Sequence, residues 1–135
     1  MKGIGSTMIL SFIVAVAIIA GTIALVVRGV KTAVASERHS TIAGFVLILT
    51  IGLIAGVWLG VFGEFKINER IRIQGAPVPL VIFVLEDQNW TDFVKPPTVS
   101  YLCMVANALF PVGVFALLWT LFESRLGKHK STTQI

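Results

Sequence analysis

The sequence predicts an all-α transmembrane protein of three helices, with a small extracytoplasmic antiparallel β element between helices 2 and 3. Three apolar segments, Met8–Val27, Thr41–Phe62 and Val99–Phe122, contain no Asp, Glu, Lys, Arg or His. Each segment has about 20 residues or more, which as a helix spans the roughly 30 Å hydrocarbon core of a bilayer. The hydrophobic content of 56% and the mean hydropathy of +0.89 agree with a membrane protein.

The first apolar segment is expected to be retained as a helix, although Ala33-Val34-Ala35 looks like a signal-peptide cleavage site. Its apolar run is longer than the roughly 7–15 residues that are typical of a signal peptide. Arg28 and Lys31 also separate the run from the small residues. We therefore expect three spans.

Basic residues predict the orientation of the three helices. The first connection carries Arg28, Lys31 and Arg38, and the C-terminal tail also carries three basic residues. The positive-inside rule then places the N-terminus outside and the C-terminus in the cytoplasm of a bacterial inner (cytoplasmic) membrane. The expected parts are helices 1 and 2 with a short cytoplasmic connection (1–62), an extracytoplasmic β-rich loop (63–98), and helix 3 with a short cytoplasmic tail (99–135). The net charge of +4 is dispersed near helix ends, which favours lipid contact over nucleic acid.

The connection between the second and third helices contains strand patterns. Apolar residues alternate with polar ones from Phe65 to Ile73, which predicts a half-buried strand, and Gly75–Pro79 breaks it. Leu80–Leu85 is expected to form a second strand, Glu86–Asn89 a turn, and Trp90–Val94 a possible third strand. We expect a sheet of two or three strands on the outer membrane surface. Alternatively, Leu80–Leu85 adds to the sheet of a partner.

Small residues recur at helical spacing in the first two helices and are candidates for a helix-packing or partner interface. These residues are Ala17 and Gly21 in the first helix and Gly44, Gly52, Gly56 and Gly60 in the second. A run of glycines on one face allows close approach of another backbone. Packing of the first helix on the second is the favoured interpretation. The alternatives are a face for another chain or a second copy, and a glycine-lined pore.

Asn107 and Pro111 mark the third helix. Pro111 lacks the amide that would bond to the carbonyl of Asn107, so a kink is expected. The carboxamide of Asn107 is then expected to bond to a neighbouring helix. Kinking and packing are favoured over contact with a cofactor, a quinone or a substrate.

The sequence contains no pattern that indicates catalysis, a metal site or a cofactor. His39 and His129 lie in the predicted cytoplasmic segments, Cys103 is isolated, and the outer acids lack the spacing of a calcium loop. No intramembrane carboxylate is present to carry protons or ions. We therefore expect a protein that is not an enzyme and has no cofactor.

The favoured function is a non-catalytic accessory subunit of a larger integral membrane complex. A link to respiratory or photosynthetic energy-transducing complexes is proposed because small subunits are common in such complexes. No residue of the sequence indicates it. The partners are other integral membrane subunits or copies of the chain itself, within the lipid bilayer and without nucleic acid. The outer loop is expected to dock through Arg70, Ile71, Arg72, Ile73, Trp90 and Phe93. For Arg70 and Arg72, solvation is the favoured interpretation, and contact with an acidic partner or with lipid headgroups is the alternative. The runner-up function is a homo-oligomeric channel or scaffold assembled through Gly52, Gly56 and Gly60.

Overall fold

The computed structural model describes the backbone of residues 2–131 and the side chains of residues 5–126. It contains three long helices: α1 (Lys2–Ala35), α2 (His39–Val57) and α3 (Pro97–Ser131). A π-helical turn, Trp58–Phe62, continues α2. All three helices are long and apolar enough to cross a membrane, which is compatible with an integral membrane protein.

The helices extend beyond the apolar segments that predicted them. α1 continues past Arg28 and Lys31, and α3 continues past Glu123 and Arg125. The apolar window marks the part of a helix that suits lipid, whereas backbone hydrogen bonding continues into the charged turns. Of the predicted cytoplasmic tail, residues 132–135 and the side chains of residues 127–131, His129 among them, lie outside the described residues.

Four antiparallel strands follow the π-helical turn, in the order β1-β2-β3-β4. They are β1 (Glu64–Lys66), β2 (Ile71–Gln74), β3 (Val81–Glu86) and β4 (Asn89–Val94). The expected strand at Leu80–Leu85, the turn after it and the third strand are confirmed.

The expectation of two or three strands was wrong, because the alternating stretch from Phe65 to Ile73 folds back on itself. The side chain of Asn68 accepts a hydrogen bond from the amide of Arg70 at 2.8 Å. The amide of Ile67 donates to the carbonyl of Ile71 at 3.0 Å. These bonds close a turn, so that Phe65 pairs with Ile73 in neighbouring strands.

Strand pairing sorts the side chains of the sheet onto two different faces, because paired residues share a face and neighbours along a strand alternate. One face, which we call the apolar sheet face, carries six apolar side chains: Phe65, Ile71, Ile73, Ile82, Val84 and Phe93. Thr91 lies on the same face, and Glu86 and Asn89 lie on it at the end next to the turn between β3 and β4. The other face mixes apolar and charged residues, and the guanidinium of Arg72 lies 4.6 Å from the ring centre of Trp90. The sheet is therefore two-sided, with its charge concentrated on one side.

Small residues form most of the helix core, and α3 contacts both other helices. Near the sheet, Ala15, Cys103 and Ala106 are buried together. At the opposite end, Ala33 and Ala116 surround the buried ring of Phe45, whose centre lies 5.6 Å from that of Trp119. Small side chains let the backbones approach closely, which favours dispersion contacts between transmembrane helices.

Candidate functional site

The loop between β2 and β3, Gly75–Leu80, enters the sheet end of the helix bundle, and we call it the wedge. Val78 is 3% exposed and Leu80 is 6% exposed, and both pack in the cluster that contains Ala15 and Cys103. The peptide bond between Ala76 and Pro77 is cis, and Gly75 has a φ of +87°. The wedge therefore contributes Val78 and Leu80 to the buried core, although its sequence resembles a surface turn.

Asn107 of α3 joins the wedge to the helices through three hydrogen bonds. Its Nδ2 donates to the carbonyl oxygens of Gly60 and Val78, both at 2.8 Å, and its Oδ1 accepts from the amide of Val78 at 3.0 Å. The side chain is fully buried. A buried carboxamide destabilises the fold unless it is hydrogen-bonded, so these bonds specify where the wedge and the π-helical turn sit.

Two glycines make room for the carboxamide of Asn107. A Cβ atom at Gly60 would lie 2.8 Å from the Cβ of Asn107. A Cβ atom at Gly75 would lie 2.9 Å from the carbonyl oxygen of Gly60 and 3.0 Å from Nδ2 of Asn107. All three distances are shorter than ordinary contacts, so the hydrogen-bonded arrangement requires that neither position carries a side chain.

Lys95, between β4 and α3, forms a second polar connection to the wedge. Its Nζ donates to Oγ of Ser11 in α1 at 2.9 Å and to the carbonyl oxygen of Pro79. Lys95 is only 8% exposed, and burial lowers the pKa of its ammonium group below the ordinary value. Among the described side chains, none of the carboxylates pairs with it.

A serine hydroxyl beside a lysine amine is also the arrangement of a nucleophile and its base in Ser–Lys hydrolases. Here Ser11 lies inside α1, and both side chains are more than nine-tenths buried. The amide of Ser11 belongs to a continuous helix and is not available to an oxyanion. The contacts therefore favour a structural role for this pair.

The glycines of α2 lie against α3, which corrects the expected partner helix, α1. A Cβ atom at Gly52 would lie 3.2 Å from Cα of Val112, and one at Gly56 would lie 2.8 Å from the carbonyl carbon of Ala108. A Cβ atom at Gly44 would lie 3.4 Å from the nearest ring atom of Trp119. The stripe is thus covered within the chain over most of its length.

Ala17 and Gly21 of α1 do not pair with the glycines of α2. Both are exposed and line a shallow groove beside α3, and nothing lies within 4 Å of a Cβ atom at Gly21. The stripe that α1 buries is instead Ser11, Ala15, Thr22, Gly29 and Ala33. Ala15, Thr22 and Gly29 are seven residues apart, and small residues at this spacing predict one packed face of a helix.

The remaining residues that the sequence predicts as interface residues, in the third helix and the outer loop, lie in different parts of the structure. α3 runs through Pro111 without interruption, so the expected kink stays a prediction. Ile71, Ile73 and Phe93 lie on the apolar sheet face. Arg72 and Trp90 lie on the opposite face, and Arg70 precedes β2, where its carbonyl accepts from the amide of Leu85.

Comparison with protein-family models, with curated proteins and with solved structures found no match for this chain. Among the described residues, no group of three His, Cys, Asp or Glu side chains lies close enough to hold a metal ion. No sequence pattern indicates Lys95, Ser11 or Val78 as site residues, because their roles depend on contacts between distant segments.

Proposed function

We propose that this protein is a non-catalytic accessory subunit of a larger integral membrane complex, and that it docks on a partner subunit through the apolar sheet face. The observation that carries the proposal is that none of the six apolar side chains on this face is buried. Phe93 at the edge of the face is 46% exposed. A contiguous apolar surface outside the bilayer is a common feature of protein interaction sites.

A protein partner suits this face better than the lipid surface does. The turn at the far end of β3 carries Glu86 and Asp87, two acids that oppose insertion of that end into a bilayer. The sheet connects to the helices at the start of β1, which follows the π-helical turn, and at the end of β4, which leads into α3. The acidic turn therefore lies away from the helices, where a partner's outer domain can contact the sheet.

The size of the face indicates that the partner is itself embedded in the membrane. Four strands about 4.8 Å apart and about 13 Å long present roughly 250 Å² of surface. A stable interface buries about 800 Å² on each partner. The remainder has to come from other surfaces, and the exposed apolar faces of the three helices are available for it.

The proposed location is the bacterial cytoplasmic membrane, with the N-terminus outside and the C-terminus in the cytoplasm. Arg28 and Lys31 of α1 and Arg125 of α3 lie toward the end of the bundle opposite the sheet. Their position supports a cytoplasmic assignment for that end through the positive-inside rule. Assembly of copies through the glycine stripe is less favoured, because α3 already covers Gly52, Gly56 and Gly60.

Two aromatic residues of β4 allow a matched test of the docking proposal. Phe93 is on the apolar sheet face and Trp90 is on the opposite face, with similar exposures of 46% and 41%. In protein purified from its native membrane, Phe93→Asp should remove the partner subunits, whereas Trp90→Asp should retain them. Equal retention in both variants, with topology unchanged, would show that this face is not the docking surface.

A further inference from the structure

The wedge closes the sheet end of the helix bundle above a buried cysteine. Cys103 has no exposed surface, and Val78 and Leu80 of the wedge belong to the same cluster. The wedge is irregular backbone placed among apolar helices. Such backbone is stable only where its polar groups are satisfied by protein or by water.

The sequence of the wedge reduces the number of polar groups that need partners. Pro77 and Pro79 have no amide hydrogen, so Val78 supplies the one amide between them. Asn107 bonds to both the amide and the carbonyl of Val78. At the two ends of the wedge, the amide of Gly75 donates to the carbonyl of Gly63, and that of Leu80 donates to the carbonyl of Gln74. The main chain of Val78 therefore depends on one side chain of α3, and the carbonyl of Pro79 depends on Lys95.

The buried ammonium group of Lys95 opposes closure of the wedge. It bonds to the carbonyl of Pro79 and to Ser11, two neutral groups, and burial without a carboxylate is unfavourable for a cation. The titratable side chain that faces it from α3 is Cys103. Neither Ser11 of α1 nor the wedge residues titrate. Water would reach the ammonium if the wedge moved away.

We propose that the wedge is a releasable plug that Asn107 holds closed, and that its release uncovers Cys103 while the three helices stay folded. Release also frees the carboxamide of Asn107, which in the closed state bonds to both the amide and the carbonyl of Val78. This inference does not depend on the docking surface proposed above, because no residue of the apolar sheet face contributes to it.

The rate at which Cys103 reacts with a maleimide reports release directly, because the chain contains one cysteine. The full chain in mild detergent at constant pH is treated with N-ethylmaleimide, and the labelled mass is followed over time. Asn107→Ala should raise the rate at least about tenfold, the factor that corresponds to 1.4 kcal/mol. Gly75→Ala should do the same, because its Cβ atom would lie 2.9 Å from the carbonyl oxygen of Gly60, and it leaves the sequence of the three helices unchanged.

Thr22→Ala is the control for general loosening of the bundle. It removes a hydrogen bond between α1 and the carbonyl of Leu109 in α3, 3.3 Å long, and leaves the wedge contacts intact. We expect the labelling rate of Thr22→Ala to differ less than twofold from that of the parent. The helix content of Gly75→Ala, measured by circular dichroism, should be unchanged. The proposal is overturned if Asn107→Ala and Gly75→Ala label at the parent rate, or if Thr22→Ala labels as fast as they do. It is also overturned if Asn107→Ala and Gly75→Ala label faster only with loss of helix.

Discussion

Gly56 and Gly21 are helical glycines whose replacement by alanine should have opposite effects on stability. A Cβ atom at Gly56 would lie 2.8 Å from the carbonyl carbon of Ala108 and 3.1 Å from its Cα, both in the main chain of α3. Carbon atoms in contact are ordinarily about 3.5–4.0 Å apart, so α2 and α3 would have to separate by roughly 1 Å. At Gly21, nothing lies within 4 Å of the same atom.

The expected magnitudes follow from overpacking and helix propensity. Overpacking costs about 1–3 kcal/mol, and alanine in a helix gains about 0.5–1 kcal/mol over glycine. Gly56→Ala should therefore lower the free energy of unfolding by about 1–2 kcal/mol, whereas Gly21→Ala should raise it by up to about 1 kcal/mol. Reversible unfolding in mixed micelles, followed by circular dichroism, measures both changes.

A Gly56→Ala protein at least as stable as the parent would contradict the close contact between α2 and α3. The glycine stripe would then be free of α3, and assembly with another chain would become its favoured role. Loss of partner subunits from an otherwise stable Gly56→Ala protein would also indicate that the glycine stripe contacts another chain. A destabilised Gly56→Ala beside a stabilised Gly21→Ala supports the internal contact.

Three further predictions concern other parts of the molecule. Phe45→Ala should destabilise the protein by about 3–5 kcal/mol, because a ring that is 2% exposed leaves a cavity; an effect under 1 kcal/mol in the same micelle assay would contradict the buried cluster. Because burial lowers the pKa of Lys95 from 10.5, the unfolded chain binds this proton more tightly than the folded chain. The free energy of unfolding should therefore rise with pH between the lowered pKa of Lys95 and 10.5, and Lys95 should add no pH dependence below the lowered pKa. Melting temperatures of the parent and of Lys95→Met over this pH range measure the effect. If both proteins show the same rise, Lys95 is not its cause. Arg72→Gln should lose its contact with Trp90 at a cost of about 0.5–1 kcal/mol, and a cost above 2 kcal/mol would indicate a larger structural role.

Local patterns in the sequence were sufficient to predict the helices and part of the sheet. A charge-free apolar segment of about 20 residues has few alternatives to a membrane helix, so all three were identified. The turn at Asp87 and Gln88, both with positive φ, followed from turn-forming residues between two strand patterns. The hairpin at Asn68 was missed because alternation continues on both sides of the turn.

The wedge and the pairing of helix faces were not predictable from local patterns. Val78 is buried because Asn107, 29 residues away, bonds to its main chain. The glycines of α2 indicate that another backbone lies close, but their spacing does not identify α3 as that backbone. Lys95 shows no local pattern that indicates burial, because its contact with Ser11 of α1 joins residues 84 positions apart.

Native mass spectrometry of the tagged protein, purified from its native membrane in mild detergent, decides whether the chain is an accessory subunit. We expect stoichiometric foreign subunits bound to the 14.6 kDa chain, and their loss in Phe93→Asp but not in Trp90→Asp. A mass that is a simple multiple of 14.6 kDa, with no other subunit, would contradict the accessory role and indicate a homo-oligomer.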